Sequence, residues 1–186
     1  MYVYKIKYCY MAELTVGSKV FYPSHGAGWI SDSRTIEFDG QKKKYFEFKL
    51  INDSISISTP VDKMEELKVR EVLPADKIEK SIKVLKKNPG VDPEVSDFNV
   101  LLNIFKKIEE SSDIEDSIKA IQYCNFVREK REKEGRLIPI SIETTTNDSI
   151  RNIVSELAVS SDKTLEEASK RFTKLTGIEV KEKSIS

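Results

Sequence analysis

Residues 16–30 read VGSKVFYPSHGAGWI and contain the only histidine and the only tryptophan of this 186-residue chain. Apolar and polar residues alternate through the first half, which is typical of a strand, and Pro23 with the glycines behind it indicates a turn. One histidine supplies too few ligands for a metal site, and no catalytic triad or nucleophile-elbow signature accompanies it. We therefore interpret His25 as a structural residue in a turn that Gly26 permits, and we expect no catalytic residues and no metal.

Short strand-like segments continue from this stretch: GWISDSRTIEFDG (28–40), KKYFEFKLI (43–51) and SISISTP (54–60). The second of them alternates cleanly, with Phe46, Phe48 and Leu50 on one side. Asp39-Gly40 and Asn52-Asp53 are turn signals between the segments. Several strands of about five residues joined by tight turns predict a small barrel or a strongly bent sheet.

The hydrophobic period changes after Pro74. Apolar residues then recur at helical spacing in five segments, residues 76–87, 95–110, 112–135, 146–162 and 162–175. Ser96 or Asp97 is the expected N-cap of the second helix, and Gly135 and Gly177 are the expected ends of the third and the fifth. Helices that follow the strands without interleaving indicate two domains and not a wound α/β fold, with a boundary near residues 73–76.

The composition is typical of a highly charged globular protein. Lys plus Arg and Asp plus Glu both number 31, so no net charge draws the chain toward nucleic acid. The two cysteines, Cys9 and Cys124, form no CxxC motif, which favours a reducing, cytoplasmic location. No glycine-rich phosphate loop is present, so we expect no cofactor. We interpret residues 1–13 as an arm, with Met11 as a candidate start, residues 179–186 as a flexible tail, and no segment as a membrane span.

The strand region resembles the RNA-polymerase-interacting domain of the CarD/CdnL family, which is shared with the transcription-repair coupling factor. The matching positions, in order, are Val16-Gly17-Ser18, Tyr22-Pro23, His25-Gly26-Ala27, Gly40, Tyr45, Pro60 and Arg70-Glu71-Val72. The helical region is similar to the CarD C-terminal domain more loosely, and best over residues 155–168. The resemblance implies an α+β protein with a small Tudor-like or SH3-like β-barrel over residues 14–73. An all-α domain of about five helices would follow over residues 76–178.

The resemblance also implies a monomeric bacterial regulator of transcription initiation. In the family, the barrel binds the β subunit of RNA polymerase by adding a strand to a partner sheet. The residues to which this role is carried over are Arg34, Thr35, Ile57, Ser58 and Pro60. Arg34 is alternatively a surface arginine beside Asp32. Because Ser58 stands where the family has a second arginine, docking is weaker or uses Lys42, Lys43 and Lys44, which are alternatively solvated hairpin residues.

In the family the helical domain lies on promoter DNA at the upstream edge of the melted bubble, where a tryptophan wedges into the minor groove. Here Phe98 stands closest to that place, and the alternative is that Phe98 packs in the helix core or forms an N-terminal hydrophobic staple. The other DNA-contacting candidates are Lys83, Lys86, Lys87, Asn103, Lys106 and Arg151. We expect weak DNA binding unless polymerase tethers the domain, which raises its effective concentration. The alternative function is a polymerase-binding adaptor whose helices bind another protein and not DNA.

Overall fold

A computed structural model describes residues 14–38, 41–52, 56–95 and 97–180. Strands come first, and they are β1 (Lys19–Tyr22), β2 (Gly26–Phe38), β3 (Gln41–Leu50), β4 (Ser56–Pro60) and β5 (Arg70–Glu71). They form one sheet in the order β4-β3-β2-β1-β5, and all neighbours are antiparallel. Because β4 and β5 are the two ends of this order, the described pairings leave the sheet open.

The strand β2 is longer than the sequence predicts and contains a β-bulge. Its pairing with β3 shifts register between Ile30 and Asp32, and the hydroxyl of the intervening Ser31 donates to the Glu47 carbonyl at 3.0 Å. Along β2, the strand β1 pairs only with residues 26–29, and β4 pairs with β3 only as far as Tyr45. The far ends of β2 and β3, from the pair Thr35 and Lys44 onward, therefore continue as a two-stranded ribbon. Asp39 and Gly40 of the predicted hairpin turn lie outside the described residues, as does Asp53 of the next turn.

One face of the sheet buries the alternating residues of β3. Phe46, Phe48 and Leu50 are all buried, which confirms the predicted alternation. Met64 and Val69, in the segment between β4 and β5, pack on the same cluster. This segment begins as a short 3-10 helix (Val61–Lys63). The core of the sheet therefore lies between the strands and the chain that returns beneath them.

Helices follow β5, and they are α1 (Ala75–Ile82), α2 (Val84–Lys87), α3 (Phe98–Glu109), α4 (Ile114–Lys133), α5 (Ile140–Ser161) and α6 (Leu165–Thr176). Only Lys83 separates α1 from α2, so the pair corresponds to the first predicted helix. The chain is therefore α+β, as predicted. None of the helices in the described ranges combines the length and the apolar character that crossing a membrane requires.

The helix ends have identifiable caps. Of the two N-cap candidates for α3, Asp97 accepts a hydrogen bond from the Asn99 amide at 2.8 Å, whereas Ser96 lies outside the described residues. Thr164 begins α6 with a reciprocal capping box that includes Glu167, which the sequence analysis missed. Gly177 ends α6 in the left-handed conformation, as predicted.

The cysteine of α4 is part of a hydrophobic cluster. Cys124 is fully buried beside Leu101, Phe105 and Ile142, which brings together α3, α4 and α5. Burial raises the pKa of its thiol to about 11. The side chain is therefore a small hydrophobe in the core and not a nucleophile.

Candidate functional site

The turn around the single histidine is built by backbone and ring contacts. The His25 amide donates to the Tyr22 carbonyl at 3.1 Å, and Gly26 follows with a φ of +90° that favours glycine. The Tyr22 ring meets the His25 ring edge-on at 5.2 Å and the Phe48 ring at 5.5 Å. His25 thus connects the turn to the sheet core, which agrees with its structural interpretation.

Strand pairing places three of the predicted docking residues on one outer face of the sheet. Pro60 lies opposite Tyr45, and Tyr45 lies opposite Arg34, so these three residues form one row across β4, β3 and β2. Two residues before Pro60 on β4, Ser58 pairs with Glu47, and Glu47 pairs in turn with a residue of β2. Directly paired residues point to the same face. Two of the three come from the edge strand β4 and the third from β2.

The guanidinium of Arg34 is held in place while remaining accessible. It donates to Asp32 at 2.7 Å and to Glu47 at 2.6 Å, and 64% of its side chain is exposed. The hydrogen bond from Arg34 holds the pKa of the Asp32 carboxyl below its ordinary value. The two carboxylates orient the arginine along the sheet surface and leave one side free for a partner.

The two other predicted docking residues lie on the opposite face. Ile57 pairs with Phe48 and packs partly buried against the sheet core, and Thr35 pairs with Lys44 on the exposed ribbon. The candidate site is therefore the outer face with Arg34, Ser58 and Pro60. Ile57 supports that face from beneath.

The hairpin lysines are engaged only loosely. Lys42 lies 3.8 Å from Glu37, and Lys43 lies 3.8 Å from Asp62. The Lys44 ammonium lies 5.1 Å from the centre of the Phe46 ring. All three side chains are exposed. A role in docking and a role as solvated hairpin residues therefore both remain predictions.

The comparison with known protein families matches the part of the chain that carries this face. Residues 14–73 match the CarD-like/TRCF RID domain family. This region is a CarD-like RNA-polymerase-interacting domain. The domain family interacts with RNA polymerase in transcription and is not enzymatic. The match includes β4 and the ribbon and ends at Leu73, just before α1.

The CarD-like domain is joined to the helices by a buried ion pair that the sequence analysis missed. Arg70 of β5 binds Glu156 of α5 through two hydrogen bonds, at 2.5 and 3.0 Å, although the glutamate is only 1% exposed. The same carboxylate accepts the Leu73 amide at 2.7 Å. The sequence does contain a signal for this pair, because Glu156 is a charged residue within the buried run from Ile153 to Val159. A buried glutamate needs a cationic partner.

Further contacts connect the CarD-like domain with α5. The Ser155 hydroxyl accepts the Ala27 amide at 3.0 Å in a fully buried bond. Phe21, Ala27 and Val159 form a buried cluster, against which Trp29 packs. Trp29 is thus a packing residue. The HGAG segment therefore serves both the turn and the contact with the helices.

Phe98, the candidate wedge, lies at the start of α3 beside a groove. It is half-buried against a cluster that includes Leu101 and Phe105, and the Arg131 guanidinium lies 5.4 Å from its ring centre. These contacts favour the helix-core alternative for Phe98. They also bring the basic end of α4 next to the residue.

The other predicted DNA-contacting residues fall on several helices. Lys83, between α1 and α2, is exposed, as are Lys86 and Lys87 of α2, which packs on α6. Asn103 and Lys106 lie one turn apart on α3, which packs on α4 and α5, where Arg151 is half-buried. The three lysines are thus close together in the chain, and Asn103 lies one turn from Lys106.

Proposed function

We propose that the chain is a bacterial transcription regulator that docks on the β subunit of RNA polymerase through β4 and the outer face next to it. In this proposal residues 14–73 act as a small Tudor-like barrel, and residues 76–178 form a helical domain carried to the promoter. The match to the RNA-polymerase-interacting domain family supports the partner. A factor of this kind works in the cytoplasm, where the bacterial polymerase is.

The observation that carries the proposal is the unpaired side of β4. Within the described residues β4 pairs with β3 alone, so its outer backbone groups are free to extend a partner sheet. Ser58 and Pro60 lie on this strand, and Arg34 lies in the same row as Pro60. Main-chain hydrogen bonds would supply affinity, and the oriented arginine would fix the register.

The helical domain, in this proposal, acts on promoter DNA and prolongs the open complex. Tethering by polymerase supports this role, because a linked domain needs little affinity of its own for DNA. The exposed Lys83, Lys86 and Lys87 provide phosphate contacts. The second candidate function is an adaptor whose helices bind another protein, and the packing of Phe98 in its cluster favours it.

Replacing Arg34 with glutamate is expected to weaken binding to RNA polymerase by about tenfold, because the reversed charge repels the partner and joins two carboxylates already present. A pull-down of purified polymerase with wild-type and R34E protein measures this. Lys174→Glu, an exposed charge reversal on α6, is the matched control and should bind as the wild type does. Failure of the wild-type chain to retain polymerase, or equal retention by R34E, would contradict the proposed docking face.

Replacing Phe98 with alanine separates the two candidate functions. If Phe98 inserts into DNA, F98A shortens the lifetime of the open complex about fivefold while polymerase binding stays unchanged. If the residue only packs against α4, F98A lowers the urea midpoint and leaves that lifetime as it was, once the folded fractions are matched. A competitor-challenge assay on promoter DNA gives the lifetime, and circular dichroism gives the folded fraction.

A further inference from the structure

The N-terminal end of α3 and the C-terminal half of α4 form a groove with a largely apolar wall. Its volume is about 180 Å³. The apolar side chains that line it include Val95, Phe98, Leu101, Phe126 and Val127. Leu101 is buried, whereas the two phenylalanines are half-buried and keep part of their rings accessible. The docking face on the sheet does not include this groove, and of the predicted DNA-contacting residues only Phe98 lines it.

The segment between α2 and α3, which forms one wall of the groove, is held on α4 by hydrogen bonds. The Val91 amide donates to the Gln122 carbonyl at 3.2 Å, and the Gln122 side chain donates to the Asn88 carbonyl at 2.6 Å. The Asn125 side chain donates to the Pro89 carbonyl at 2.9 Å. Because these bonds fix the segment on α4, the groove exists in the free chain, and a partner does not have to order it.

The charged residues that line the groove include more cations than carboxylates. They are Lys130, Arg131, Arg136, Asp92 and Glu134. Arg136 pairs with Glu134 at 3.1 Å. The Arg131 guanidinium lies 5.4 Å from the centre of the Phe98 ring. In the part of the chain that the structure describes, Lys130 forms no ion pair, so its ammonium group is free to meet an anionic partner.

A second depression, of about 320 Å³, adjoins the groove on α4. The two share Phe126, Lys130 and Glu134, and the second adds one cation and one carboxylate, Lys133 and Glu129. Lys133 is exposed and, like Lys130, forms no ion pair with a described residue. The surplus of positive charge in the groove is therefore kept over the whole surface. A chain segment that places one side chain in the groove can continue over Phe126 and reach both lysines.

We propose that the groove binds an acidic segment of a partner protein, with one large apolar side chain inserted between α3 and α4 and carboxylates of that segment next to Lys130 and Lys133. The inference rests on the second candidate function, in which the helices bind another protein. An apolar side chain in a preformed pocket is the usual centre of such an interface, and complementary charges around it select the partner.

The size of the groove favours a single side chain over a cofactor-sized ligand. An apolar cavity of about 150 Å³ holds one benzene molecule. The groove, at about 180 Å³, therefore has room for one phenylalanine or leucine side chain. A drug-sized ligand needs roughly 300–1,000 Å³ with mostly apolar walls. Of the five residues that line the second depression, only Phe126 is apolar. One apolar side chain with acidic neighbours matches both depressions.

The test uses the full chain and three fluorescein-labelled peptides of nine residues in anisotropy titrations. The first peptide has phenylalanine at its centre and four alternating aspartates and glutamates on each side. The second has alanine at the centre, and the third has lysines in place of the acidic residues. We expect the first peptide to bind at least about fivefold more tightly than either of the others, and added salt to weaken its binding.

Two variants of the chain locate the binding on the groove. Phe126→Ala removes the ring that both depressions share and is expected to weaken binding of the acidic phenylalanine peptide about tenfold. Lys130→Glu changes an exposed residue, so it leaves the core intact, and it should weaken binding about fivefold. Lys174→Glu on α6 is the matched charge reversal outside the groove and should bind as the wild type does. Circular dichroism verifies that each variant is folded.

Equal binding of the phenylalanine and alanine peptides, of the acidic and lysine peptides, or of the wild type and Lys130→Glu would overturn the inference. So would light scattering that finds a wild-type dimer and a monomeric Phe126→Ala, because a second copy would then occupy the groove. A labelled DNA duplex that binds where the peptides do not, and that Lys130→Glu weakens, would assign the surface to nucleic acid instead.

Polymerase pull-down separates this inference from the docking proposal, and it should give the same result for Phe126→Ala and the wild type. If the wild type fails to retain polymerase but prefers the acidic phenylalanine peptide, the docking proposal fails and the groove assignment stands. If the wild type retains polymerase and shows no such preference, only the groove assignment fails.

Discussion

Replacing Arg70 with alanine is expected to lower the free energy of unfolding by about 3–5 kcal/mol, because it leaves the Glu156 carboxylate buried without its cation. The carboxylate is 1% exposed and would keep only the Leu73 amide as a hydrogen-bond donor. The same substitution removes the hydrogen bond at 2.7 Å to the Ser112 carbonyl and the stacking of the guanidinium 4.6 Å from the centre of the Phe21 ring. Urea unfolding followed by circular dichroism measures the loss.

The second partner provides the control for this expectation. In the Arg70→Ala background, Glu156→Gln removes the unpaired charge and should recover part of the lost stability. Arg34→Ala, which breaks two exposed ion pairs, should leave the urea midpoint nearly unchanged. If R70A unfolds at the same urea concentration as R34A, the buried pair does not stabilise the contact between the sheet and α5.

The buried pair also bears on how the two parts of the chain cooperate. If the sheet docks on polymerase and the helices act on DNA, docking fixes where the helices lie only when the sheet and the helices are held together. Arg70, Ser155 and Glu156 provide that connection through hydrogen bonds in the buried contact. We therefore expect an R70A protein to bind polymerase through its sheet but no longer to prolong the open complex through its helices.

Local pattern was enough to predict β1 to β4 and most helices, whereas β5 was not predicted from it. The alternation of Phe46, Phe48 and Leu50 depends only on the two-residue period of a half-buried strand, and the structure agrees. The left-handed glycine after α6 is equally local. In these cases the signal lies within a few consecutive residues.

Features that depend on distant partners were not predictable in this way. The helix α5 begins at Ile140 and not at the predicted residue 146, although threonines are weak helix formers. Burial of Ile142 and Thr145 against neighbouring helices outweighs that preference, and the Thr146 hydroxyl bonds the Ile142 carbonyl at 2.7 Å. The bulge at Ser31 likewise requires knowledge of its partner strand.

The candidate site was predicted residue by residue but not as a face. Sequence resemblance selected five docking positions, and only the pairing register separates Arg34, Ser58 and Pro60 from Thr35 and Ile57. The register depends on the bulge, because one inserted residue reverses which side chains of β2 point outward. A prediction without the partner strands could not assign the faces beyond that point.

Replacing Gly28 with alanine is expected to lower the free energy of unfolding by about 3 kcal/mol or more. This is at or above the largest loss that an overpacked core usually shows. A Cβ at this position would lie 2.2 Å from the Lys49 carbonyl oxygen and 2.7 Å from the Leu50 Cα. Both atoms are backbone atoms of β3, so no side chain can move aside to make room. Since Gly28 also pairs with Val20 of β1, any shift disturbs three strands at once.

Two other glycines distinguish this steric cause from backbone strain. Gly90 has ordinary van der Waals room for a Cβ, with the nearest atom at 3.4 Å in Phe126, so G90A should change stability by less than about 0.5 kcal/mol. Gly17 has a φ of +92° with open space around it, so G17A should cost only about 1–2 kcal/mol of left-handed strain. A G28A protein with the urea midpoint of G90A would mean that β2 and β3 can separate at this pair. The pairing register of β2 and β3 would then not be fixed. The row from Pro60 to Arg34 depends on that register, so the docking face would not be fixed either.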